Sequence, residues 1–414
     1  MTEKIKILHI ITHMHVGGAQ DNTLLTVERH DRKKFNVTLM CSAEGAWVDR
    51  AKSIPDLKIV FVDKLTRPIH PVSDVLAFFQ IYRHLKHEKY DIVHTHSSKP
   101  GFLGRIAAKL ANVPVVVHTI HGFPFHDFML PVLRRFFIFL EKKCARLSDK
   151  LITVSKLNLK KTLDLGIAPK DKLVNIYSGI DFRNFDHKID GNEIRNALAI
   201  PQNSLVVGII GRLSKQKSPW NLVKAAPLVL KKHPNTIFVS VGNGELQKEM
   251  YALAEKLKLG KQFKFLGFRE DIANLLHIFD VYTLPSQWEG LGRSLTEAMY
   301  MKKAVIASAV EGVPELVEHG KTGLLVPPND PEKLAESICQ LLGDTLLRNN
   351  LGKKAHFKVK DIFEADKMVV DIEKLYFECL IGKKTIAGNR VNGKATIVNA
   401  KKEFMPSSEQ TMSQ

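Results

Sequence analysis

The chain is poor in cysteine and in long apolar runs. Its four cysteines, Cys41, Cys144, Cys339 and Cys379, are far apart and never form C-x-x-C. A disulfide framework and a thiolate zinc site are therefore not expected, and a reducing compartment fits. No run of about 18 uninterrupted apolar residues occurs, so no segment is expected to span a bilayer. The opening M-T-E-K-I-K-I-L-H-I-I lacks the shape of a signal peptide and reads as a charged lead-in to a buried strand. A cytoplasmic protein, soluble or peripheral at the cytoplasmic membrane face, is the expectation. H-E-x-x-H is missing, as are the Lys and Ser/Thr of a P-loop, so no metal ligand is expected and a Walker-type NTPase is rejected. Acidic charge is scarce too: 43 Asp and Glu against 61 Lys and Arg, a formal net charge of +18. Such a surplus favours anionic partners such as phosphorylated small molecules or anionic lipid. No helix-turn-helix, RNA-recognition or zinc-finger string accompanies it, so nucleic acid is not the expected partner.

What is present is an ordinary globular composition, 44% apolar and 25% charged over 414 residues, a length that suggests about two or three domains. Short, nearly continuous apolar runs alternate with amphipathic stretches. The runs 5–11, 36–41, 58–62, 91–96, 113–118 and 150–155 form one series, and 206–211, 236–242, 263–267, 281–285 and 304–308 a second. Strands covered by helices on both faces look like this, and their alternation with helices predicts parallel, doubly wound sheets. A polar Asn/Asp-rich stretch near 181–203 separates the two series. The expected fold class is α/β, with a Rossmann-like domain over 1–190 and another over 200–360, facing across a cleft. A closing helix over 361–381 is expected to pack back on the first domain, followed by a polar tail over 382–414.

Five groups could carry chemistry. The string W-E-G-L-G-R-S-L-T-E-A-M at 288–299 places Glu289 on a loop after a strand and Glu297 inside the following helix. Gly290 and Gly292 let backbone approach a ligand, the helix end favours anions, and ionised carboxylates accept hydrogen bonds from sugar hydroxyls. A glycine turn with two surface glutamates is the plain alternative. G-R-L-S-K-Q-K-S at 211–218 offers Arg212 and Lys217 to clamp a diphosphate. The turn around Gly17 and Gly18, after the first strand, could bring amides against phosphate or sugar, and a strand-to-helix turn explains it as well. His94, His96, His118, His121 and His126 cluster near predicted strand ends, with His121 the best placed to meet a sugar hydroxyl. The stretch 129–146 mixes large apolar residues with Arg134, Arg135, Lys142, Lys143 and Arg146. It suits a helix packed on its own domain or one lying on an anionic membrane surface.

Taken together these strings resemble glycosyltransferase family 4, the retaining GT-B enzymes, over about residues 5–380. The E-x7-E string, the Arg212/Lys217 pair, the early Gly-Gly turn, H-G-F at 121–123, Tyr177-Ser178-Gly179-Ile180-Asp181, E-G-V-P-E-L-V at 311–317 and G-x-T-G-L-L-V at 320–326 appear in family order. The stretch H-T-I-H-G-F-P-F-H is similar to enzymes that build capsule, exopolysaccharide or lipid-linked glycans. The resemblance implies a nucleoside diphosphate sugar as donor, most often a UDP-sugar, and a glycan or lipid-linked acceptor, with no metal. Arg212 and Lys217 would stabilise the leaving diphosphate, and Glu297 would accept from the ribose. Glu289 would accept from the donor sugar, helped by the amides of Gly290, Leu291 and Gly292. Gly17 and Gly18 would approach the donor phosphate, His121 would contact the sugar, and Gly267, Phe268 and Arg269 would lie by the base. Ser178, in place of the usual Asn, and Arg293 depart from the family pattern. A sugar-nucleotide epimerase on the same architecture is the nearest alternative. A glycoside hydrolase using Glu289 and Glu297 fits less well, because Glu297 lies within a helix beside a phosphate-type basic loop.

Overall fold

A computed structural model describes residues 3–66, 68–125 and 129–388. The chain divides into two compact units. One holds the residues up to Thr153, Thr162–Ile176 and the described residues from Asp366 onward; the other holds Val154–Lys161 and Tyr177–Ala365. The last described helix, Ala365–Gly388, thus belongs almost wholly to the first unit. The greater part of the polar stretch 382–414, like His126, lies outside the described residues.

The first unit is built on seven strands: β1 (Ile5–Ile10), β2 (Phe35–Cys41), β3 (Lys58–Phe61), β4 (Ile92–His96), β5 (Val115–Ile120), β6 (Lys150–Thr153) and β7 (Leu173–Asn175). They pair in the order β3-β2-β1-β4-β5-β6-β7, all parallel. The second unit has β8 (Leu205–Ile210), β9 (Thr236–Val241), β10 (Phe263–Gly267), β11 (Val281–Leu284), β12 (Ala304–Ser308) and β13 (Leu324–Val326), in the order β10-β9-β8-β11-β12-β13, again all parallel. The direction of winding reverses between β1 and β4 in one sheet and between β8 and β11 in the other. Ligands of open α/β sheets bind beyond the carboxyl ends of strands at such a reversal.

Helices cover both faces, which is why the central strands are apolar throughout rather than alternating. In the second unit one core joins Val206, Val239, Tyr282, Val305 and Leu295, and the other joins Val207, Phe238, Val281, Ile306 and Ile338. Gly208 is needed in β8: a Cβ there would lie 1.9 Å from the Phe279 ring. The first sheet is unusual at its centre, where His9, His94, His96 and His118 are buried. Buried polar groups persist only when hydrogen-bonded, and these are.

Candidate functional site

In the second unit, the loops leaving β8 and β11 flank the winding reversal. The β8 loop carries Arg212 and Lys217 and the β11 loop carries Glu289, so the fold delivers both sequence motifs to one sheet edge. Lys217 Nζ lies 2.5 Å from Glu289 Oε1, and the Ser286 hydroxyl donates to the same oxygen at 2.7 Å. Both partners fall on Oε1, which leaves Oε2 as the open acceptor of a carboxylate that is only 4% exposed. The two loops are laced together: Gln216 accepts from the Gln287 amide at 2.8 Å, and its side chain donates to the Trp288 carbonyl at 3.1 Å. Arg212 is exposed on the same loop.

The glycine-bearing loop V-G-N-G-E braces this arrangement. Gly242 has φ +125°, and a Cβ on it would lie 2.2 Å from the Gly211 carbonyl oxygen. The Leu213 amide donates to the Asn243 carbonyl at 3.1 Å, and the Leu246 amide donates to the Leu213 carbonyl at 2.9 Å. Backbone contact thus holds the basic loop in addition to the side-chain bonds of Gln216 and Lys217.

After Glu289, the amides of Gly290, Leu291 and Gly292 donate to no acceptor among the described residues. Gly292, at φ +100°, caps the helix Arg293–Tyr300. Glu297 lies on that helix with Arg293 Nε 3.5 Å from its Oε1. Arg293 also donates to the Gly179 carbonyl at 2.6 Å. Arg293 thus ties the Tyr177–Asp181 loop to Glu297. Gly267 has φ +68° and accepts from the Gly242 amide at 2.7 Å. Beside it the Phe268 ring is 42% exposed. The Arg269 fork is engaged with Asp271 through two bonds of 2.7 Å, which raises the pKa of Arg269 and lowers that of Asp271.

Two carboxylates of E-G-V-P-E-L-V were passed over as site residues by the sequence reading. Glu311 accepts from the Glu289 amide at 3.0 Å and from Lys161 at 2.7 Å, so it holds the backbone of the β11 loop. Glu315 accepts from the Lys156 amide at 2.9 Å, from the Leu157 amide, and from the Tyr177 hydroxyl at 3.0 Å. The available signal was that both lie directly after strand β12, at the same sheet edge.

In the first unit, Gly17 is extended at φ 177° and precedes the helix Gly18–Arg29. The close backbone approach there is made by Gly45 instead, at φ +123°, where a Cβ would lie 2.1 Å from the Met14 carbonyl carbon. The histidines separate by strand alternation. His9 is in register with His94, His96 with Thr119, and Thr95 with His118. Hence His9, His94, His96, Thr119 and His121 share one face, and His118 the other. His121 Nε2 is 3.1 Å from His96 Nδ1. Burial pushes the His121 pKa down to about 3 and those of His9, His94, His96 and His118 well below the usual imidazole range. His9, His94 and His96 bring ring nitrogens within 4.8 Å of one another, the one such grouping with metal-ligand proximity among the described residues. Both nitrogens of His94 are already bonded, to Tyr376 at 2.5 Å and Thr119 at 2.7 Å, so an ion would have to displace a partner.

Comparison with known proteins adds to this geometry. Residues 190–357 match the model of glycosyl transferases group 1, and residues 16–184 that of Glycosyltransferase Family 4. The chain is similar to the UDP-Gal:alpha-D-GlcNAc-diphosphoundecaprenol alpha-1,3-galactosyltransferase of Escherichia coli, with 33% identity over 385 residues, 92% of this chain and 98% of the relative. It is also similar to the capsular polysaccharide biosynthesis glycosyltransferase CapM of Staphylococcus aureus, with 24% identity over 336 residues, 78% of this chain and 85% of that one. Among solved structures, Anabaena HepE in complex with UDP-glucose superposes with a TM-score of 0.78 at 24% identity, covering 90% of this chain and 99% of that one. That likeness shows the fold: each unit is a Rossmann-like parallel sheet of the GT-B type.

Proposed function

The chain belongs to the group 1 and family 4 glycosyltransferases, and on that footing we propose that it transfers a hexosyl or N-acetylhexosaminyl group from a UDP-sugar to a lipid-linked or growing glycan acceptor. Its 33% identity to a galactosyltransferase named for a diphosphoundecaprenol-linked acceptor, over 98% of that relative, carries this reading. We assign the reaction to synthesis of a cell-surface polysaccharide or glycoconjugate, with retention of anomeric configuration.

The chemistry follows from the charges. Breaking a glycosyl–phosphate bond builds negative charge on the leaving diphosphate and positive charge on the sugar ring. Cations already in place stabilise the first as it develops, which lowers the barrier. Lys217 is held by Glu289 before any donor arrives, so little reorganisation is needed. Arg212 supplies the second cation. The amides of Gly290, Leu291 and Gly292 and the open oxygen of Glu289 orient the donor sugar, Glu297 takes the ribose, and Phe268 offers a face for the base. In the first unit, Gly17 and Gly18 approach the donor phosphate and His121 contacts the transferred sugar. Two protein cations on the diphosphate take the place of a metal ion. The test is product analysis with UDP-sugars and a polyprenyl-diphosphate-linked acceptor in excess EDTA. Acceptor-dependent release of UDP is expected. Complete loss in EDTA, restored by one divalent metal, would overturn the metal-free scheme, and an isomerised sugar nucleotide formed without acceptor would mark an epimerase.

We further propose that the first unit rests on an anionic membrane surface. No described helix is long and apolar enough to cross a membrane. The helix Pro131–Ala145, however, leaves Val132, Leu133, Phe136 and Phe139 exposed beside Arg134, Arg135, Lys142 and Lys143. Of its residues only Cys144 and Ala145 are buried, so packing does not account for its apolar face. Apolar insertion plus attraction to anionic headgroups is how such helices bind. The protein should sediment with phosphatidylglycerol vesicles and not with phosphatidylcholine alone. Replacing Phe136 and Phe139 by serine should weaken that binding by at least about tenfold, since burying each ring contributes roughly 1.5–3 kcal/mol. Equal sedimentation of the variant and the parent would remove the helix from the contact.

A further inference from the structure

The buried histidines of the first unit form a continuous line that ends on a carboxylate. Glu373 Oε1, on the helix Ala365–Gly388, is 2.9 Å from His30 Nδ1. His30 Nε2 is 3.2 Å from His9 Nε2, and His9 Nδ1 is 3.0 Å from His96 Nε2. His96 Nδ1 is 3.1 Å from His121 Nε2. His121 Nδ1 has no hydrogen-bond partner among the described residues, and the residue is half-buried. The line therefore joins a carboxylate under the sheet to a nitrogen, unpartnered among the described residues, just beyond the carboxyl end of β5.

A neutral imidazole has one N–H and one lone pair. In a row of such rings, fixing the first bond fixes them all. Glu373 fixes it: its Oε1 also accepts from the Asp31 amide at 2.9 Å, and an ionised carboxylate only accepts. His30 must then donate through Nδ1 and accept at Nε2. His9 donates through Nε2, His96 through Nε2 and His121 through Nε2. The outermost atom, His121 Nδ1, is left as a lone pair. Burial supports this count, because it keeps the rings uncharged near neutral pH.

We propose that Glu373 is a positioning residue for His121: through His30, His9 and His96 it holds His121 in the Nε2–H tautomer, so that Nδ1 presents an acceptor to a hydroxyl group of a bound ligand. That the ligand is the sugar being transferred rests on the function proposed above; the tautomer does not. His94 stands beside the line, bonded to Tyr376 and Thr119, and takes no part in it.

The test is long-range proton–nitrogen correlation NMR of the full chain labelled with nitrogen-15 histidine, His121 being assigned by its absence in His121→Gln. The parent protein should show one Nε2–H tautomer for His121, unchanged by EDTA. Glu373→Gln keeps an oxygen facing His30 and Asp31 and should keep both tautomer and turnover. Glu373→Met removes the acceptor, and His9→Phe cuts the line while filling the space. Each should mix the His121 tautomers and lower kcat about tenfold with KM little changed, whereas a purely structural role would lower only the melting temperature. A parent spectrum with Nδ1–H at His121, an EDTA-dependent spectrum, or an unmixed tautomer in folded Glu373→Met or His9→Phe overturns the proposal. The parent spectrum decides the direction of the line even if the variants fail to fold. If the tautomer is as stated but no sugar is transferred, the functional reading fails and the line of histidines stands.

Discussion

Arg212→Ala should lower kcat by about 10²–10³-fold, the scale seen when one preorganised donor to a developing anion is removed, while leaving the thermal melting of the protein nearly unchanged. The second half of this expectation comes from burial. Arg212 is exposed, so its loss leaves no cavity. Lys217 is different. Its ammonium sits against the buried Glu289 carboxylate, and Lys217→Ala would leave Glu289 with only Ser286. Breaking a pair of this kind by removing one partner costs roughly 3–5 kcal/mol. Lys217→Ala should therefore lower both turnover and stability, and Glu289→Gln should lower turnover with a smaller loss of stability, since the neutral amide needs no counter-charge. Single-turnover assays beside thermal melts separate these outcomes. Parental turnover in both Arg212→Ala and Glu289→Gln would remove this site from the reaction.

How much of this could be read from the chain depends on how local the information is. Eleven strands were legible because each is a compact apolar run between polar helices, and the observed strands match those runs to within about two residues at each end. The two short edge strands were not. β7 is only Leu-Val-Asn, and β13, within G-x-T-G-L-L-V, stood out as a motif rather than as a strand. Three residues carry too little periodicity to declare a strand; only pairing with β6 or β12 makes them one. The Lys217–Glu289 contact was half legible. The chain order marks two loops after two strands, but that they are neighbours follows from the winding reversal between β8 and β11. His118 and His121 were seen together in the sequence, yet strand alternation sends them to opposite faces. Glu373 was out of reach: it is 343 residues from His30, and no local pattern connects them.

Acidification from pH 7 to pH 5 should unfold the first unit well before the second. His9, His94, His96, His118 and His121 all have folded-state pKa values below the unfolded value near 6.5, mainly because burial disfavours the charged ring. Neighbouring charge adds to this: Arg32 acts on His9, Arg105 on His118, and the rings on one another. His30 shifts in the same direction, opposed by its bond to Glu373. With the folded pKa depressed, the unfolded chain binds more protons in acid, so the stability is fully present above pH 6.5 and is lost as the pH falls below it. Each ring held neutral costs about 2 kcal/mol between pH 7 and pH 5, hence about 10 kcal/mol for the five, against a domain stability of about 5–15 kcal/mol. In the second unit no histidine is buried among the described residues, so its acid response should be much shallower. Trp47 lies in the first unit, and Trp220 and Trp288 in the second. Urea titrations of a Trp220→Phe/Trp288→Phe variant at pH 7, 6 and 5 would follow Trp47 alone. Its midpoint should fall steeply, and His96→Gln, which removes one buried ring, should reduce the slope by about one part in five. A midpoint that stays level to pH 5 would mean that the rings accept protons where they lie, and the neutral, directional line from Glu373 to His121 would lose its basis.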